Sequence, residues 1–224
     1  MRQNQRKSTP KVKKGKVQKK NNHQETPTYW NTEQREVVID KEKPGDGFRH
    51  YITKQDVLDF IELIPNWTKL SEGLDAIILD YGDETCDGWY RYSYGVIGIC
   101  AWPKDLAIEM DNDYFFDHKE LFDRLDVRYT MKDRYLENPS LYQAMHGGHF
   151  PRKQAYDIVC EFTPNQVKAY QLLHILLHEL GHHYDLITTK SKIRAARGEK
   201  FAEDYAFEYE AQIWESYFKK FPLY

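Results

Sequence analysis

Cysteine is scarce in this chain, which has 224 residues and only three cysteines, at Cys86, Cys100 and Cys160. Their number is odd and no two of them stand in a Cys-x-x-Cys spacing, so nothing indicates a disulfide framework or a zinc knuckle built from cysteines. We therefore expect three reduced, buried thiols.

Long apolar runs are also missing. No stretch approaches the roughly 20 residues that a membrane span requires, and the polar, basic N-terminus lacks the apolar core of a signal peptide. These absences predict a cytoplasmic protein without a membrane span. The composition, 41% hydrophobic and 15% aromatic, is sufficient for one compact domain.

Acidic residues are absent from residues 1–20, which contain nine lysines and arginines. Removing these nine from the 32 basic residues leaves 23 against 35 acidic ones, a net charge of -12 for the rest of the chain. Such an arm could make weak contacts with nucleic acid or another anionic surface. The alternative is a solvated tail without a binding role. We expect residues 1–28 to form a disordered basic arm and residues 29–224 a single domain.

Hydrophobic periodicity predicts an α+β fold with a small antiparallel or mixed sheet. The helices expected in this fold are one from Thr53 to Ile64 and one near 117–125. The expected strands are an antiparallel meander, formed by the runs Ala76–Tyr81, Trp89–Trp102 and Leu106–Met110, and a strand from Ala155 to Phe162. Within the run Trp89–Trp102, the glycines of the segment from Gly95 to Cys100 leave one face of the strand without side chains. That face could hold an extended peptide, or it could pack tightly inside the sheet.

A long helix is predicted to begin at Thr163, which is followed by Pro164 and, three residues after the cap, by Gln166. Apolar residues then continue without a helix breaker up to Gly181. A glycine at that level would let a neighbouring helix approach closely.

The sequence His178-Glu179-Leu180-Gly181-His182 lies on this predicted helix. Residues four apart project from one face, so both imidazoles can reach one metal ion. Glu179 is rotated by about 100° from His178, where its carboxylate can hold a water molecule beside that ion. Neutral imidazoles suit Zn²⁺, which activates water, and a nearby carboxylate can accept the proton. His174 and His183 are close in sequence and could support the ligands or simply pack.

These residues resemble the motif of the zincin metallopeptidases, and in particular the gluzincin branch. The segment from Gly198 to Ala206 is similar to the Glu-x-x-Ala-Asp/Asn-x-Phe-Ala pattern of prenyl-protein peptidases and ImmA/IrrE-type proteases, and the chain also resembles the minigluzincins. The resemblance implies a zincin-like fold in which a C-terminal helix carries the third zinc ligand. It places that ligand at Glu199 and the acid that orients a ligand histidine at Glu203.

The register of the third ligand stays open at this point, because Glu203 also begins a Glu-x-x-Ala pattern and is the alternative ligand. Small residues at Ala202 and Ala206 would let this C-terminal helix pack closely against the helix that carries the His178-to-His182 motif. An oxyanion stabiliser is also required. The candidates are Tyr205, Tyr209, His146 and His149.

We therefore expect a zinc metalloendopeptidase with one Zn²⁺ ion and a peptide or protein substrate. In this interpretation Glu179 is the general base. Two alternatives remain. The domain could be a regulatory module that the basic arm targets to nucleic acid, or a structural zinc-binding domain without turnover.

Overall fold

The structure is a computed structural model that describes residues 12–13, 16–17, 36–82, 85–93, 95–133, 156–189 and 197–223. Its strands are β1 (Val12–Lys13), β2 (Lys16–Val17), β3 (Val38–Lys41), β4 (Phe48–Arg49), β5 (Ala76–Asp80), β6 (Gly88–Arg91), β7 (Val96–Cys100), β8 (Trp102–Pro103), β9 (Ala107–Met110), β10 (Arg128–Asp133) and β11 (Tyr156–Glu161). Its helices are α1 (Lys54–Ile61), α2 (Trp67–Leu70), α3 (Asn112–Arg124), α4 (Pro164–Tyr170), α5 (Leu176–Thr188) and α6 (Gly198–Lys220), and a π-helical segment, Gln171–Ile175, joins α4 to α5.

Only four residues of the basic arm are described, and they form the short antiparallel pair β1–β2. The rest of the expected disordered segment, and the expected start of the domain near residue 29, lie outside the described residues.

The main sheet has four strands in the order β3-β5-β7-β6. Strands β3, β5 and β7 are parallel, and β6 runs antiparallel to β7 at the edge. The prediction of an antiparallel meander is therefore wrong, because β5 pairs in parallel with β7 and β9 belongs to another sheet. The physical reason lies in burial, since every residue of β7 and four of the five in β5 are buried. Near-continuous apolar runs are typical of parallel strands covered on both faces.

The segment from Gly95 to Cys100 packs tightly and holds no free edge. A Cβ added at Gly98 would lie 2.1 Å from the Trp89 ring, and Gly95 has a φ of 57° beside the carbonyl of Gly73. The hypothesis that a peptide binds along this segment is wrong, because β5 and β6 occupy both of its edges.

The second sheet is antiparallel, with the order β10-β11-β9. The strand expected from Ala155 to Phe162 is present as β11, and Leu106–Met110 contributes β9. The helix expected near 117–125 begins earlier, after Asp111, whose side chain accepts hydrogen bonds from two backbone amides of the first turn. The helix expected from Thr53 to Ile64 is capped by Thr53 and ends at Ile61.

The helix predicted to start at Thr163 has that residue as its N-cap, with both hydrogen bonds of a capping box to Gln166. It runs through α4, the π-helical segment and α5 to Thr188, and most of it is buried. Its apolar residues share one core with both sheets and with α6. The fold is thus a mixed α+β arrangement in which one central helix supports the residues of the predicted motif.

The three cysteines are free, with Cys100 and Cys160 buried and Cys86 partly exposed. Among the described residues, no helix is both long enough and apolar enough to cross a membrane.

Candidate metal centre

Three side-chain atoms from two helices converge on one point. The Nε2 atoms of His178 and His182, one turn apart on α5, lie 3.1 Å from each other. The Oε2 atom of Glu199, in the first turn of α6, lies 3.3 Å from each of them. The structure thus brings together the two histidines and the glutamate that the preferred register names.

Glu203 occupies a different position, beside the opposite nitrogen of His178. Its Oε2 atom is 2.8 Å from His178 Nδ1. Burial raises the pKa of Glu203, but its contacts with His118 and His178 outweigh burial and hold that pKa far below its usual range. The ionised carboxylate can only accept, so His178 donates from Nδ1, and in the neutral form of the ring its Nε2 atom has a lone pair.

The separations between the three converging atoms fit a tetrahedral zinc ion. Bonds of about 2.0 to 2.1 Å at tetrahedral angles place neighbouring ligand atoms roughly 3.3 Å apart, close to the 3.1 and 3.3 Å found here. Burial lowers the pKa of His182, which favours the neutral imidazole that a metal requires. The donor set and its dimensions therefore fit Zn²⁺.

Glu179 lies beside this cluster and is almost fully buried. Burial raises its pKa to about 7, against the opposing charge of His178. Strand β6 passes directly over it, because a Cβ added at Gly88 would lie 3.1 Å from Glu179 Oε1. The carboxylate is thus held in a confined, weakly polar position next to the three converging atoms.

Close packing between α5 and α6 sets the position of Glu199. A Cβ added at Gly181 would lie 2.8 Å from the Cα of Ala202, so only glycine permits this approach. The start of α6 is fastened by Asp185, which accepts from the backbone amide and the Nε of Arg197, both at 2.7 Å. Both predictions of close approach, at Gly181 and at Ala202, are confirmed.

A cleft of about 480 Å³ opens over the converging atoms. The edge strand β6 forms one wall of it, and α5 with the π-helical segment forms the floor. Tyr90 on that wall is tied to α5 by a hydrogen bond of 2.8 Å between its hydroxyl and His183 Nδ1. The cleft therefore contains the buried carboxylate of Glu179, the three converging ligand atoms and the edge strand β6.

The two described candidates for the oxyanion stabiliser, Tyr205 and Tyr209, do not line this cleft. Tyr205 is buried between α5 and α6, where it packs on Tyr184 and Tyr209. His146 and His149 lie outside the described residues. Among the described residues, the hydroxyl groups that do line the cleft belong to Thr85, Tyr90, Tyr92 and Tyr114.

Sequence reasoning missed a second group of polar residues beside the first. His118 on α3 contacts Glu203 at 2.6 Å and His174 at 2.8 Å, although it lies 56 residues from His174 in sequence. Asp87 lines the cleft, and burial raises its pKa to about 6. The one sequence signal was the position of His174, a turn before His178 on the same helix.

Comparison with known proteins adds no relative. No protein-family model matches the chain, and neither do curated proteins or solved structures.

Proposed function

We propose that this chain is a zinc-dependent metallopeptidase of the zincin type, with a gluzincin-like ligand set of His178, His182 and Glu199. The observation that supports the proposal most directly is the convergence of the three ligand atoms at 3.1 to 3.3 Å, with a buried carboxylate beside them. Three protein ligands leave one tetrahedral position open, which is typical of catalytic rather than structural zinc sites.

When bound, zinc supplies Lewis-acid activation of water and of a carbonyl group. Glu179 acts as the general base, because its carboxylate lies next to the ligand cluster and is shielded from bulk solvent. The same group then delivers the proton to the leaving amine. Glu203 fixes the tautomer of His178 through Nδ1, a role that carboxylates commonly have behind zinc-bound histidines.

The substrate in this proposal is an extended peptide along β6. This strand is at the edge of its sheet and three of its residues, Gly88, Trp89 and Tyr90, line the cleft. An edge strand presents backbone donors and acceptors that can pair with an added strand. Such pairing would place a scissile peptide bond over Glu179, since Gly88 lies directly above that residue.

The test compares wild type with Glu179→Gln and Glu199→Ala for zinc content and for cleavage of a peptide library. We expect Glu179→Gln to keep one zinc ion at the cluster while losing at least a hundredfold in cleavage rate, which is the scale of general-base catalysis. Glu199→Ala should lose zinc affinity and cleavage together.

Glu208→Gln is the matched control, because Glu208 is exposed on the same helix and should affect neither property. Cleavage by Glu179→Gln at the wild-type rate would refute the assigned base. A zinc-loaded wild type that cleaves no peptide in the library would favour the structural alternative.

A further inference from the structure

A second cluster of metal-ligating atoms lies behind the first. His118 Nε2 on α3 is 2.8 Å from His174 Nε2 on the π-helical segment and 2.6 Å from Glu203 Oε1 on α6. The third side of this triangle, from His174 Nε2 to Glu203 Oε1, measures 3.5 Å. Both histidines are nearly inaccessible to solvent.

The hydrogen bonds of His118 determine what its Nε2 atom presents. Its Nδ1 atom lies 2.7 Å from the backbone carbonyl of Tyr114, and because a carbonyl only accepts, Nδ1 carries the proton. In the neutral ring Nε2 then has a lone pair, and the buried Oε1 atom of Glu203, which has no hydrogen-bond partner among the described residues, lies 2.6 Å from this nitrogen. Two acceptors at that distance repel each other unless a positive charge lies between them.

We propose that His118, His174 and Glu203 form a second binding site for a divalent transition-metal ion. Two imidazoles and one carboxylate are a common ligand set for such ions. Bonds of about 2.0 to 2.1 Å at angles from 90° to 109° separate ligand atoms by roughly 2.9 to 3.4 Å. The three observed distances, 2.6, 2.8 and 3.5 Å, lie just outside this range. Binding needs only a shift of a few tenths of an ångström at His118.

Three further features support a metal site here. The hydrogen bond from His118 Nδ1 to a carbonyl is the support that metal-bound histidines usually have. His174 and Glu203 also line the large cleft, so an ion has a path of entry. In addition, His174 lies in a π-helical turn, a local irregularity that is frequent at functional sites.

The two clusters share one carboxylate. Glu203 directs Oε2 to His178 Nδ1 in the first cluster and Oε1 to the histidines of the second. An ion in the second site would fix Glu203 and, through it, the orientation of His178. It would also link α3, the π-helical segment and α6, so its removal should lower both thermal stability and zinc affinity at the first cluster.

The experiment measures zinc stoichiometry by equilibrium dialysis followed by elemental analysis, on wild type, Glu199→Ala, His174→Gln and the double variant. Glu199 belongs to the first cluster alone, and its side chain is 83% exposed. We expect two ions in wild type, one in each single variant and none in the double variant. His183→Gln is the matched control, because His183 is equally buried on the same helix but is bonded to Tyr90 and to a backbone carbonyl. It should retain two ions.

If wild type binds one ion and Glu199→Ala binds none, the second site is overturned. Two ions retained in His174→Gln would also overturn it. If His174→Gln fails to fold, wild type and Glu199→Ala decide the question by themselves, since one ion retained in Glu199→Ala supports the second site. A single ion lost in His174→Gln but kept in Glu199→Ala would support this site and refute the proposed zinc centre.

Discussion

Replacing Gly181 by alanine should push helices α5 and α6 apart and weaken the proposed zinc centre. The new Cβ would lie 2.8 Å from the Cα of Ala202 and 3.0 Å from its carbonyl oxygen. Carbon atoms normally approach to about 3.5 Å, so the helix backbones must separate locally by about 0.7 Å. Glu199 and Glu203 flank Ala202 on α6 and would move with it.

The magnitude follows from two opposing terms. Overpacking of this kind costs about 1 to 3 kcal/mol, whereas alanine is favoured over glycine inside a helix by about 0.5 to 1 kcal/mol. We therefore expect a net loss of about 0 to 2.5 kcal/mol in the free energy of unfolding. Metal sites tolerate shifts of about 0.2 Å in ligand position, so zinc affinity should fall at least roughly tenfold.

The assay combines thermal unfolding with competition for zinc against a fluorescent chelator. Gly181→Ala together with Ala202→Gly provides the internal control, because removing the Cβ of Ala202 leaves its Cα and carbonyl oxygen in place. The double variant should therefore recover little zinc affinity. Wild-type zinc affinity in Gly181→Ala would refute the argument that this contact positions Glu199.

Three other changes test separate parts of the structure. Asp185→Asn weakens the bonds to Arg197 that fasten the start of α6, and should cost about 1.5 to 3 kcal/mol in denaturant unfolding. Thr163→Ala removes the capping box and should cost about 1 kcal/mol, which lowers Tm by about 2 to 4 °C. Burial raises the pKa of Glu210 to about 7, against the attraction of Arg124, whose Nη1 atom lies 2.8 Å from Glu210 Oε1. The stabilising contribution of Glu210 is therefore complete below about pH 4.5 and is lost as the pH rises through 7. Glu210→Gln should therefore match wild type in Tm at pH 4.5 and exceed it at pH 8, by an amount that corresponds to at most about 3 kcal/mol.

The local parts of this fold were predictable from the sequence. The cap at Thr163 with Pro164 and Gln166 fixes the start of the central helix through contacts within four residues. The spacing of His178 and His182 places both rings on one face of any helix. Gly181 indicated a close neighbour, and Ala202 is that neighbour.

Strand pairing was not predictable in the same way, because it depends on segments far apart in the chain. Val96–Cys100 pairs with Ala76–Asp80 in parallel, while the segment between them folds back as the antiparallel edge strand β6. The apolar runs did carry a signal for buried parallel strands, but turn residues between them favoured a meander. Because of that error, the sequence indicated a peptide along β7, which is an interior strand, whereas the edge strand that we propose for peptide binding is β6.

The choice between Glu199 and Glu203 as the proposed third zinc ligand also depends on the tertiary structure. Both Glu199 and Glu203 begin a Glu-x-x-Ala pattern, and only the packing of α6 on α5 shows that they reach opposite nitrogens of His178. His118 could not be connected with the site at all from the sequence, because α3 reaches His174 only through the folded core.

The most direct test of the zinc centre is a crystal structure of the protein grown with added zinc, with anomalous diffraction recorded at the zinc edge. We expect an anomalous peak about 2.0 to 2.2 Å from His178 Nε2, His182 Nε2 and a carboxylate oxygen of Glu199. The absence of a peak at that point, with the two imidazoles turned away from each other, would contradict it.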